Sequence, residues 1–118
     1  MHVIALPDRV IADHGSTGMT LHPVPAPPSD SARHVVVLEL GAGGRIGRHP
    51  AAGWQVLVVT SGSGEVSGSD GVRVPIHVGE AAVWAPGEEH ETSTHQGLVA
   101  TILESDEEPD LAGFESPG

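Results

Sequence analysis

The chain has 118 residues and a formal net charge of −11, with five Arg, no Lys and no Cys. A single domain fills that length. So few cations exclude a phosphate-binding or anionic-membrane surface, and the lack of Cys excludes disulfides, thiolate metal sites and cysteine nucleophiles. The opening MHVIALPDRV has no basic region leading into a long apolar run, and nowhere does an apolar stretch approach the ~20 residues of a bilayer span. These features set the expectation of a cytoplasmic protein with neither nucleic acid nor membrane as partner.

Sixteen Gly and ten Pro punctuate the sequence, and no segment sustains a 3.6-residue apolar period. What remains is a series of short β-rich runs between turn signals. In chain order they are Val3–Leu6, Met19–His22, His34–Leu40, Arg45–His49, Trp54–Thr60, Gly64–Ser67, Val72–Val78, Ala81–Trp84, His90–Thr94 and Leu98–Glu104. Many short strands joined by Gly-rich turns predict an all-β sandwich or barrel. VPAPPSDSA, residues 24–32, reads as an exposed excursion, and SGSDG, residues 67–71, as a hairpin turn. Val56, Leu57, Val58 and Val59 are apolar in succession, which predicts a central strand covered on both faces. The expected organisation is an N-terminal part of strands and Pro-rich excursion (1–32), a barrel (33–104) and an acidic, flexible tail (105–118).

Two histidines carry the chemistry. In GGRIGRHPAAGWQVLVVTSGSG, residues 43–64, Gly43 is followed by His49, then Gln55, then Gly62. In GEAAVWAPGEEHETST, residues 79–94, Gly79, Gly87 and His90 recur in order. Side chains alternate faces along a strand. His49 with Ala51, Gln55 with Leu57 and Val59, and His90 with Thr92 and Thr94 therefore form three same-face sets. In a closed barrel such faces converge on one interior.

These residues resemble the two signatures of the cupin superfamily, G-x5-H-x-H-x3-E-x6-G and G-x5-P-x-G-x2-H-x3-N, across roughly residues 33–104. The spacing matches throughout. Ala51 stands at the second His position, Gln55 at the Glu, Ala85 at the Pro and Thr94 at the terminal Asn. The resemblance implies a cupin-type double-stranded β-helix, an RmlC-like jelly-roll barrel with little helix. It implies one divalent ion (Zn, Fe, Mn, Ni or Cu) on His49, Gln55 and His90, and no nucleotide cofactor. The leading reading is a small-molecule-binding barrel in which that metal site is marginal or degenerate, its ligand pocket lined by Gln55, Leu57, Thr92 and Trp84; the alternatives are a metal-dependent oxygenase or isomerase and a non-catalytic dimeric partner protein. The missing carboxylate weakens an oxygenase or isomerase reading, and Glu39 is the candidate to restore it, against an outward, solvated position.

The remaining candidates carry less. Trp54 and Trp84 fit the pocket mouth, core or dimer contacts, and Arg45 and Arg48 an anion clamp or solvent. His2, His14, His22 and His77 show no clustering in the sequence and are expected at the surface; His95 should point away from the pocket. A homodimer is expected, with the Val3–Leu6 run as its contact.

Overall fold

A computed structural model of the chain describes residues 1–25 and 33–114. Eight strands form in it: β1 (Arg9–Ile11), β2 (Thr17–Pro23), β3 (Arg33–Pro50), β4 (Trp54–Ser67), β5 (Val74–His77), β6 (Ala81–Trp84), β7 (Glu89–Ser93) and β8 (Leu98–Ser105). A single 3-10 turn, Asp13–Gly15, joins β1 to β2. All pairings are antiparallel, and β3 and β4 are the organising strands. Each is long enough to pair with different strands along its two halves. The first half of β3 pairs with β2 and β8 and its last residues with β7; the first half of β4 pairs with β6 and β8 and its end with β5 and β7. The circuit β3–β8–β4–β7–β3 closes, so the expected all-β jelly-roll barrel is the fold observed.

Closure needs each long strand to bend, and the bends fall where backbone freedom is greatest. Gly62 has φ of +74° beside a register shift between Val59 and Ser61, a conformation that favours glycine. The sequence reading split both strands at these bends. His34–Leu40 and Arg45–His49 are one strand, and so are Trp54–Thr60 and Gly64–Ser67. Turn residues look like strand ends until a partner strand is seen to follow them round.

Two other expectations are corrected. Val3–Leu6 forms no strand, and Val3 and Ile4 remain 90% and 60% exposed. A β-rich run without a partner has nothing to pair its backbone with. The extra strand is instead Arg9–Ile11, which pairs with β2 from Arg9↔Leu21 to Ile11↔Met19. The centre of β4 is covered fully on one face only. Gln55, Leu57 and Val59 are buried, while Trp54, Val56 and Val58 on the other face are half-buried. The 67–71 hairpin turn forms as expected, with Val66 opposite Val74 and Asp70 Oδ1 accepting from Val72 N at 2.9 Å. Most of the 24–32 excursion and residues 115–118 of the acidic tail lie outside the described residues. No helix among the described residues is long and apolar enough to cross a membrane.

The core is aliphatic. Leu38, Leu57, Val59, Ala100 and Ile102 project inward from β3, β4 and β8 and are at most 4% exposed. At the outer edge of β2, His22 lies between Asp8 (Nδ1–Oδ1 3.0 Å) and Glu39 (Nε2–Oε2 2.7 Å). The Glu39 bond is the main cause that holds His22 above the ordinary histidine value, with Asp8 adding to it. Its folded-state pKa is raised above the unfolded value of 6.5. The ion pairs therefore stabilise the fold fully below pH 6.5 and are lost as the pH rises through the raised value. The melting-temperature gap between wild type and His22→Gln should narrow on going from pH 6 to pH 9. A gap that widens instead reverses the assigned sign.

Candidate functional site

One feature of β3 aims the site. Ile46 pairs with Thr92 and His49 with His90, so three positions on β3 span two on β7. This one-residue bulge, at Gly47 and Arg48, reverses the alternation of faces beyond it. Ile46 faces inward before the bulge and His49 faces inward after it, directly opposite His90. Arg48 is left outside, where its guanidinium donates to the carbonyls of Gly68 and Ser69 at 3.1 Å. Arg45 likewise donates to Gly15 O at 3.2 Å. Both arginines hold loops and neither forms an anion clamp.

The two imidazoles sit together. Their ring centroids are 4.3 Å apart with planes tilted by 55°. His49 Nδ1 lies 2.7 Å from Gly47 O, and His90 Nδ1 lies 3.4 Å from Glu88 O. A carbonyl oxygen only accepts, so in each ring Nδ1 carries the hydrogen. When such a ring is neutral, Nε2 is its lone-pair nitrogen. Burial pushes His90 below the ordinary histidine value, and a charge on His49 would push it further in the same direction. His90 is therefore a neutral ring at pH 7, with a basic edge available to a ligand.

A cavity of about 150 Å³ opens at this end of the barrel. Its polar wall combines His49 from β3, Gln55 from β4, His90 from β7 and Glu104 from β8, with Asp13, His14 and Ser16 from the turn before β2. Its apolar wall includes Ile11, Met19, Leu21, Val36, Ile46 and Ile102. The sequence reading brought His49, Gln55 and His90 to this place, and the structure puts them there. It places Leu57, Thr92 and Trp84 differently. All three are buried and face inward, yet they lie in the packed core and not on the cavity wall. Trp84 donates through Nε1 to Ser67 O at 3.1 Å, and Thr92 Oγ1 is buried with no hydrogen-bond partner. Side chains fill the barrel below the histidines, so the cavity is shallower than expected. Glu39 points outward to His22 and brings no carboxylate to the site. His95 is exposed, as expected.

Two site residues were missed. Glu104 continues the inward set Leu98, Ala100 and Ile102 on β8 and pairs in register with Gln55. That period of two was visible in the sequence, and the last predicted strand ends at Glu104, but neither signature assigns a site residue on that strand. His14 is exposed, as expected of a surface histidine, but it is not isolated: it stacks on His49 with centroids 4.3 Å apart and planes 6° from parallel. Its φ of +59° and ψ of +26° are left-handed, a conformation that costs a non-glycine residue about 1–2 kcal/mol. Gly47 makes room for it: a Cβ there would collide with the His14 carbonyl oxygen. Gly47 N also donates to Ser16 Oγ at 3.0 Å. The bulge that turns His49 inward thus also seats the turn that bears His14.

The divalent ion implied by the signatures does not fit these donors. His49, Gln55 and His90 offer two imidazoles and a neutral amide, Ala51 offers nothing, and Glu104, though on the same wall, is not grouped with the two histidines closely enough to complete a metal-holding set. His14 is no substitute for the missing imidazole. The lone pairs lie in the ring planes, and two parallel stacked planes do not converge on a point ~2.0–2.1 Å from both nitrogens. Among the described residues, no three His, Asp or Glu side chains are grouped so that they could hold a metal ion.

No protein-family model matches the sequence, and no curated protein matches it either. Solved structures do match in fold. The polyketide cyclase RemF of Streptomyces resistomycificus superposes with a TM-score of 0.76 at 20% identity, over 93% of this chain and 82% of that one. A predicted oxalate decarboxylase of Thermotoga maritima gives 0.73 at 18% identity, over 85% and 93%. An RmlC-like cupin of Shewanella frigidimarina gives 0.72 at 17% identity, over 91% and 89%. At these identities the likeness is one of fold.

Proposed function

We propose that this chain, a barrel of the cupin fold, binds a small uncharged organic molecule at its mouth and needs no resident metal ion to do so. The observation that carries the reading is the cavity wall. Four strands deliver His49, Gln55, His90 and Glu104 to one end of an otherwise largely apolar space, the usual build of a small-molecule site. The volume, about 150 Å³, suits a single six-membered ring, since a cavity of roughly this size holds benzene.

The polar groups select the ligand's charge. Nε2 of His49 and of His90 and the carboxylate of Glu104 all accept hydrogen bonds. Asp13 adds a second carboxylate, and no Arg or Lys lines the cavity. A carboxylate ligand would meet acceptors and negative charge and leave its own desolvation uncompensated. A hydroxyl donor on a small ring meets partners on several sides. The oxalate chemistry named for the Thermotoga neighbour therefore suits this wall poorly. The ring-closing chemistry named for RemF acts on a class of molecule closer to what the wall accepts. A neutral His90 with a basic Nε2 is also placed to take a proton from such a hydroxyl, which gives the site an acid–base reading as an enzyme.

Calorimetry on chelator-treated protein tests the proposal with two probes of nearly equal shape, phenol and benzoate. Phenol is expected to bind and benzoate not to, with phenol affinity unchanged on adding zinc, iron, manganese, nickel or copper. Tight benzoate binding, or phenol binding that appears only with metal, overturns it.

A further inference from the structure

We propose that the turn Asp13–Gly15 is a built wall of the ligand site and that His14 is the residue that sets the size of ring the site accepts. This rests on the reading of the cavity as a small-molecule site. It adds a residue outside both signature motifs, 35 positions before the histidine on which it stacks.

Three independent contacts hold the turn where it is. Ser16 N donates to Asp13 O at 3.0 Å and closes it. Arg45 donates to Gly15 O, and Ser16 Oγ accepts from Gly47 N. Arg45 lies just before the bulge that turns His49 inward, and Gly47 lies within it. Within the turn, His14 is the one described residue other than glycine with positive φ. Glycine would adopt that backbone most easily, and histidine is among the few other residue types enriched there, so the backbone alone does not assign the residue a role. What ties it to the site is the position of its ring. The imidazole lies flat on His49, and Asp13, His14 and Ser16 together form one side of the cavity. Without that ring the side facing His49 is open, and a larger planar molecule can extend across the space the ring now occupies.

The test uses the full chain and two substitutions. His14→Asn keeps a residue that tolerates the left-handed backbone and removes the ring; His14→Phe keeps a flat ring and removes the nitrogens. Two probes are titrated, phenol and 2-naphthol. Wild type is expected to favour phenol. In His14→Asn the 2-naphthol-to-phenol affinity ratio should rise at least tenfold, with phenol itself weakened about two- to tenfold by loss of the stacked wall. His14→Phe should restore the wild-type ratio. An unchanged ratio in His14→Asn, or failure of Phe to restore it, overturns the proposal. If wild type binds neither alcohol, the reading of the cavity falls, and the wall is judged separately by the His49 Hε1 proton resonance. That resonance should move in His14→Asn through loss of the neighbouring ring current and stay near its wild-type position in His14→Phe; a resonance indifferent to both removes His14 from the site.

Discussion

Leu57→Ala should destabilise the protein by about 2–5 kcal/mol, the usual cost of emptying a fully buried leucine position, and leave the phenol affinity of the folded protein within about twofold of wild type. Leu57 is 0% exposed and pairs with Ile102 of β8 and Ala82 of β6. It shares a face with Gln55, which lines the cavity, so the sequence alone allows both to be ligand contacts. The packed position of Leu57 separates them. Denaturant unfolding gives the stability change and calorimetry gives the affinity. A small stability change with a large affinity change would mean that the cavity reaches deeper than the histidines.

His49→Ala and His90→Gln should each weaken phenol binding by roughly tenfold or more, the equivalent of about 1.4 kcal/mol. Each removes one imidazole acceptor from a site where an unmet donor on the ligand is costly. The two rings are in contact, so the double variant should lose less than the product of the single losses. Binding indifferent to both substitutions would move the ligand elsewhere on the barrel. In the unliganded protein His49→Ala should change stability less than His90→Gln, because His90 is 1% exposed and His49 only half-buried.

The parts of this architecture legible in the sequence are those written with a period of two. Gln55, Leu57 and Val59 alternate with a second set on β4, and His90 and Thr92 do so on β7; both inward sets are buried as the alternation requires. The Gly and His spacing of the two signatures brought His49 and His90 to one interior; their pairing in register comes from the bulge in β3. What stayed hidden depends on partners distant in the chain. Whether Leu57 and Thr92 line a cavity or fill a core is decided by the volumes of side chains on β3, β6 and β8, which no single strand records. The contact between His14 and His49 depends on a left-handed residue in a turn and on a missing Cβ at Gly47, and neither follows a periodic pattern. Val3–Leu6 has the composition of a strand, but composition supplies no hydrogen-bonding partner. Arg9–Ile11 has such a partner in β2 although Val10 is 83% exposed. Glu104 belongs to a different class: its alternation with Ile102, Ala100 and Leu98 was readable and its strand was read to end at it, but both signatures end before that strand and so point to no site residue on it.

The central claim is that His49 and His90 present bare Nε2 edges to an uncharged donor in a metal-free cavity. A long-range proton–nitrogen correlation spectrum of the imidazoles, recorded on chelator-treated protein at pH 7.5 with and without phenol, reads that claim directly. The account predicts that both rings carry their hydrogen on Nδ1, and that both Nε2 resonances move when phenol is added. Rings protonated on Nε2, or Nε2 resonances unmoved by a saturating concentration of phenol, would contradict it.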